Sequence, residues 1–189
     1  MSGPQPEVSV YLPTRNRTHL LREAIESVLA QTFSGFELLI VDDGSDDASA
    51  LESLSCMDPR IRMFRHEQPR GAPAARNYAI REARGRFLTG LDDDDLMLPR
   101  RLESLLAAKP ENYSLVCSSF YLEKNGQRRQ PLLQCRAHQA ALERTIRRGT
   151  GGKRRLAALL RLDDGTVDLH FTQSHQQLDD FGVRVGDSA

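Results

Sequence analysis

The chain carries no net charge, its 26 lysines and arginines being matched by 26 aspartates and glutamates. Such a balance supplies no global field for a polyanion, so nothing in it favours nucleic acid or an anionic membrane as a partner. Cysteine is scarce and odd in number: Cys56, Cys117 and Cys135 stand far apart, with no metal-ligand spacing. That excludes a disulfide framework and fits reduced thiols in a cytoplasm. No apolar run approaches the roughly 20 residues of a membrane span, and the N-terminus lacks a charged-then-apolar leader pattern. Internal repeats are absent. What is present is the composition of a soluble globular protein, with 39% hydrophobic and 28% charged residues among 189. That length suffices for one domain with a substantial core, or for one domain and a poorly packed tail.

The charge is unevenly spread. Residues 1–125 hold 15 basic and 19 acidic residues, whereas residues 126–189 hold 11 and 7. The hydrophobic pattern changes at the same place, which divides the chain into a domain over 1–125 and an atypical tail over 126–189.

Up to that break, strands and helices alternate. Val8 to Leu12 is a short β-rich run ended by Pro13. Thr18 is placed to cap a helix whose apolar face is Leu20, Leu21, Ala24, Ile25, Val28 and Leu29. Phe36 to Val41 is apolar apart from one acid, as in a strand buried on both faces. A turn-rich acidic segment follows, then a helix over about 48–56 and a short strand over Ile61–Phe64. Pro73 and Gly85 frame a helix over 73–84, with Ala75, Ala79 and Ile80 as its buried stripe. Phe87–Leu91 is a fourth strand, and Pro99 opens a helix reaching Ala108. Ser114–Leu122 reads as a fifth strand. Asn125-Gly126 is a hairpin signal that returns residues 127–132 as a sixth. This alternation predicts an α/β fold with a mainly parallel sheet and helices on both faces.

In such sheets ligands sit beyond the carboxyl ends of the strands. Three polar clusters fall there: Pro13-Thr14-Arg15-Asn16, Asp42-Asp43-Gly44-Ser45 and Asp92-Asp93-Asp94-Asp95. Four consecutive aspartates could be a solvated loop. Delivered by a buried strand, however, crowded carboxylates raise one another's pKa unless a cation relieves them. Hard divalent ions such as Mg²⁺ or Mn²⁺, shared with a diphosphate, suit such oxygen ligands. Asp42-Asp43 could simply cap a turn, or offer a carboxylate to the imide N–H of a base. Arg76 lies early in a helix, unfavourably for the macrodipole, so it faces either an anion or a surface ion pair. Arg15 either stacks on a base or points into solvent.

In order and spacing these clusters resemble glycosyltransferase family 2. Residues 8–47 read VSVYLPTRNRTHLLREAIESVLAQTFSGFELLIVDDGSDD, and residues 70–99 read RGAPAARNYAIREARGRFLTGLDDDDLMLP. The resemblance covers about residues 7–125. It implies the GT-A fold and inverting transfer of a sugar from a nucleoside-diphosphate sugar to an acceptor hydroxyl, assisted by Mg²⁺ or Mn²⁺. It further implies that Pro13, Thr14 and Arg15 line the base pocket, Arg15 replacing a tyrosine of many relatives. Asp43 would bind the base and Asp42 support its turn. Arg76 would approach the nucleotide or its diphosphate. Asp92 and Asp94 would form the Asp-x-Asp, with Asp93 near the ribose and Asp94 the foremost metal ligand. Relatives build surface polysaccharides, which implies a glycan or lipid-linked acceptor, peripheral membrane association and a cytoplasmic site.

The resemblance stops in the tail. A Gly-Gly-Phe-Asp-Glu stretch and a Glu-Asp pair are expected there; the tail has Gly151-Gly152 before Lys153, and the acidic pairs Asp163-Asp164 and Asp179-Asp180 without supporting context. Ala140 to Leu162 has a weak helical pattern broken by Gly149, Gly151 and Gly152. No catalytic base is assigned from sequence. The tail is open to three readings: a divergent acceptor region, a disordered appendage on a domain that binds a sugar nucleotide without turning it over, or a shifted reading frame from about residues 130–135. Outside the resemblance, two alternatives compete with a transferase. One is a nucleotidyltransferase, disfavoured because Pro13-Thr14-Arg15-Asn16 has no glycine. The other is a purely structural acidic surface.

Overall fold

A computed structural model describes residues 5–46 and 49–108, and the backbone of seven further strands between residues 115 and 184. The first of its strands, β1 (Val8–Thr14), has an almost wholly buried pattern, and β2 (Phe36–Asp42) is buried at every position. Such strands must be covered on both faces, because alternate side chains point to opposite sides. Val8, Val10 and Leu12 of β1 and Leu38 and Ile40 of β2 share one core. Helices α1 (Thr18–Leu29), α2 (Ser49–Ser55) and α4 (Arg101–Ala107) supply its other wall through Leu21, Ile25, Leu51, Leu54, Leu102 and Leu105. On the opposite face Leu39 and Val41 pack on Ala75 and Ala79 of α3 (Ala72–Glu82). Each fully buried leucine side chain contributes about 1.5–3 kcal/mol relative to exposure.

The main sheet runs β3 (Ile61–Arg65), β2, β1, β4 (Phe87–Gly90), β10 (Ala157–Arg161), β6 (Leu115–Ser118). Its β3-β2-β1-β4 part is parallel, and β10 lies antiparallel between β4 and β6. A second sheet has the order β5 (Asp95–Met97), β9 (Thr145–Arg148), β7 (Phe120–Lys124), β8 (Gln127–Arg129). Strands β11 (Asp168–His170) and β12 (Gly182–Arg184) form an antiparallel pair.

Several sequence-based expectations are corrected. Pro13 does not end β1, which continues to Thr14 in register with Asp42. The carbonyl of Tyr11 accepts from Leu91 on the β4 side, and that of Thr14 accepts from Asp43 on the β2 side. Pro13, two residues after Tyr11, therefore faces the β4 side, where pairing has already ended at Tyr11–Gly90. Its missing N–H forgoes no ladder bond. Thr18 is not a cap: Arg17 holds the N-cap position, and no side chain caps the helix. Within Ser114–Leu122 the described residues belong to two strands in different sheets, β6 and β7. Within Ala140–Leu162 the described residues form β9 and β10 rather than helix. Pairing with the open edge of β4 outweighs a weak local helical preference there. The hairpin reading holds for residues 127–129, where Lys124 pairs with Gln127 and Leu122 with Arg129; residues 130–132 lie outside the described residues. Asp163, Asp164, Asp179 and Asp180 lie outside the described residues.

The acid at the amino end of β2 is Glu37, 5% exposed. Its Oε1 accepts the Ser9 hydroxyl and the Arg84 N–H, each at 2.6 Å, and its Oε2 accepts Arg62 at 2.8 Å. Gly85 donates its N–H to Ser9 Oγ at 2.8 Å. This network closes the amino end of the strands. The other acids of the sheet collect at the opposite end.

Candidate functional site

Three loops meet at the carboxyl ends of β1, β2 and β4. The first two are sewn together by Asn16, which sits at φ 54°; asparagine tolerates that left-handed region. Asn16 Nδ2 donates to Asp46 Oδ2 and Asn16 Oδ1 accepts the Asp46 N–H, both at 2.9 Å, while the Asn16 N–H reaches Ser45 Oγ at 2.9 Å.

Asp42 is fully buried and faces its own turn. It accepts the Ser45 N–H at 3.1 Å and the Ser45 hydroxyl, and pairs with Arg65 at 3.4 Å. The turn requires Gly44, at φ +71°, where an added Cβ would meet the Pro69 nitrogen at 2.9 Å.

Asp43 anchors the segment between β3 and α3. Its Oδ1 accepts His66 Nδ1 at 2.8 Å and the Arg70 N–H at 2.9 Å, and its Oδ2 accepts the Gly71 N–H at 2.7 Å. Burial alone would push this carboxyl up. The bonds from His66, Arg70 and Gly71 outweigh it and hold the group below the ordinary aspartate range. His66 is buried, with its ring edge-on to Tyr78 at 5.5 Å.

The segment anchored by Asp43 leads into α3, whose buried Arg76 donates to Asp92 Oδ1 at 2.7 Å. The four aspartates then diverge. Asp93 is buried and turns towards β1, accepting Thr14 Oγ1 at 2.9 Å and Arg17 Nη1 at 3.1 Å. Burial raises its pKa, and the Thr14 and Arg17 contacts only partly offset that rise. Asp92, Asp94 and Asp95 each offer a carboxylate oxygen within 4.8 Å of the others. A set of three oxygen anions suits a hard divalent cation sharing further ligands with a phosphate.

Thr14, Asp92, Asp93, Asp94 and Arg76 thus form one connected group, to which Asp43 is joined through the 66–71 segment. Pro13 is buried within β1, and Arg15 is exposed at its end. Three contributors were not singled out in sequence. Asp95, the last of the acidic run in sequence, starts β5 and closes the carboxylate triad. Arg17 and His66 each lie just past the end of a strand, the one signal that marks them.

The sheet order, with acids at its carboxyl edge, is that of an α/β fold of the GT-A type. The family described as "Glycosyl transferase family 2" matches residues 9–169, and the chain belongs to that family. Among curated relatives, an uncharacterized glycosyltransferase of Rickettsia felis is 44% identical over 120 residues, 63% of this chain and 20% of the relative. The UDP-Glc:α-D-GlcNAc-diphosphoundecaprenol β-1,3-glucosyltransferase WfgD of Escherichia coli is 38% identical over 105 residues, 56% of this chain and 42% of the relative. Of solved structures, TarS 1–349 of S. aureus in complex with UDP-GlcNAc aligns with TM-score 0.58 at 26% identity, covering 64% of this chain and 36% of that one. The mannosyltransferase PcManGT of Pyrobaculum calidifontis, in complex with GDP-Man and Mn²⁺, aligns with TM-score 0.53 at 26% identity, covering 64% and 36%. The chain spans less than half the length of these relatives.

Proposed function

We propose that this chain binds a nucleoside-diphosphate sugar together with Mg²⁺ or Mn²⁺ at the carboxyl edge of its sheet. There it supports inverting transfer of the sugar to an acceptor hydroxyl, in the synthesis of a bacterial surface glycan. The observation that carries the reading is the divergence of Asp92–Asp95. Three carboxylates converge on one point while Asp93 turns to Thr14 beside the end of β1. Two structural neighbours are solved with UDP-GlcNAc and with GDP-Man and Mn²⁺.

On this reading Asp94, Asp92 and Asp95 hold the cation, which neutralises charge developing on the leaving diphosphate. Asp93 and Thr14 face the ribose, and Arg76 keeps Asp92 oriented at the diphosphate end. Pro13, Thr14, Arg15 and Asp43 line the base pocket, and Asp42 keeps the turn carrying Asp43 in place. The acceptor hydroxyl loses its proton to a carboxylate that none of these residues supplies. A lipid-linked acceptor agrees with the diphosphoundecaprenol substrate in the name of WfgD. On this reading the protein works at the cytoplasmic face of the membrane; no described helix is long and apolar enough to cross it.

Calorimetry with UDP, GDP and dTDP, with and without Mn²⁺, tests the reading. Metal-dependent binding of at least one nucleotide, abolished in Asp94→Ala, is expected. Equal binding in Asp94→Ala, or no binding of any nucleotide, overturns it.

A further inference from the structure

Among the described residues, Arg76 and Arg17 both contact the acidic run, and they are held differently. Arg76 is rooted in α3, and its side chain is only 9% exposed where it meets Asp92. Arg17 stands at the junction of β1 and α1 with a side chain 52% exposed. A single nitrogen, Nη1, bridges Asp93 Oδ1 at 3.1 Å and Asp94 Oδ2 at 3.3 Å. Asp94 also belongs to the carboxylate triad. Arg17 and a divalent cation would therefore make claims on the same carboxylate and repel each other.

Resting on the nucleotide-sugar reading above, we infer that Arg17 is a positioning residue that couples metal binding to nucleotide binding at this site. Its guanidinium competes with the cation for Asp94, so the cation is held weakly by the protein alone. A nucleoside diphosphate changes that balance in two ways. Its oxygens add ligands to the cation, and they offer the guanidinium an alternative anionic partner when it leaves Asp94. Metal and diphosphate then each strengthen the other's binding, as linkage requires. Arg76 cannot play this part, because its buried guanidinium has no comparable freedom to move. A half-exposed ion pair is weak enough to be broken at modest cost. Asp93 has Thr14 Oγ1 as a second donor, so it keeps a partner when Arg17 turns away.

The test is a titration of Mn²⁺, followed by the electron paramagnetic resonance signal of the free ion, on wild type, Arg17→Gln, Arg17→Lys and Asp94→Ala, each with and without UDP and GDP. Melting curves check that each variant is folded. Arg17→Gln is expected to bind Mn²⁺ alone about 3–10-fold more tightly than wild type. Its affinity is expected to rise less on adding nucleotide than that of wild type, while Arg17→Lys stays within about twofold of wild type because the charge is kept. A merely structural role for Arg17 would weaken Mn²⁺ binding or leave it unchanged. Either result overturns the inference, as does a nucleotide enhancement equal to that of wild type. Failure of the underlying reading looks different: wild type and Asp94→Ala would then bind Mn²⁺ equally, or neither would bind it with any nucleotide.

Discussion

His66 Nδ1 lies 2.8 Å from Asp43 Oδ1, and both side chains are buried at the carboxyl end of the sheet. The contact joins the residue after β3 to the residue after β2. The same carboxylate also takes the N–H groups of Arg70 and Gly71, so one side chain fixes the path of the chain into α3. Asp43 is therefore a structural anchor for the entry into α3. Replacing it by asparagine leaves an amide where the Gly71 N–H needs an acceptor. Asp43→Asn is expected to lower stability by about 1–3 kcal/mol, read by urea denaturation. An unchanged midpoint would show that the loop holds without the charge.

The same anchor gives a pH dependence. The Asp43 carboxyl is held below its ordinary value of 3.8 in the fold, so the folded state favours the ionised form. The stabilisation is fully present above the unfolded pKa and is lost as pH falls through the lower, folded one. The stability difference between wild type and Asp43→Asn should accordingly be constant near neutrality and shrink below about pH 4. A gap that widened on acidification would contradict the assignment.

Gly85 tests the opposite end of the sheet. A Cβ there would meet the Ser9 nitrogen at 2.5 Å and the Val8 carbonyl carbon at 2.7 Å, backbone atoms that cannot swing aside. Gly85→Ala should destabilise by about 1–3 kcal/mol or more. Because the site lies at the other end, any nucleotide affinity of the folded fraction should be little affected. A melting temperature equal to wild type would refute the packing argument.

Asp93 and Asp95 should separate cleanly in metal binding. Asp95 belongs to the carboxylate triad, whereas Asp93 is turned towards Thr14 and Arg17. Asp95→Asn is expected to weaken Mn²⁺ binding about tenfold or more, and Asp93→Asn to leave it within a few-fold. The reverse order would place the cation on the other side of the loop.

Glu37 gives a further stability test. Truncating it to alanine removes the acceptor of the Ser9 hydroxyl and the Arg84 N–H and one of the two carboxylates beside Arg62, and leaves a buried hole, which should cost about 3 kcal/mol. A loss under about 0.5 kcal/mol, the range of ordinary surface substitutions, would mean that the network is dispensable.

Much of this protein is written in local pattern. The run Phe36–Val41, apolar apart from Glu37, could only be a strand covered on both faces. Alternating elements of helical and strand period require a parallel sheet, and chain direction then brings the three polar clusters to one edge. Sequence also holds the residues that Gly44 and Asn16 represent, where backbone conformation restricts the choice of side chain. The tertiary structure decided what sequence spacing cannot express. Four consecutive aspartates read as one feature, yet Asp93 leaves the set because Thr14 and Arg17 meet it from a strand end some eighty positions earlier, while Asp95 joins it by starting β5. His66 and Arg17 look like ordinary surface residues until the sheet places them beside Asp43 and Asp94. The strands at Thr145–Arg148 and Ala157–Arg161 form for a similar reason, since their partners in the two sheets are distant in sequence and the preference they override is local. Local preference fixes which elements form; which carboxylate faces which partner depends on contacts that exist only after the sheet has assembled.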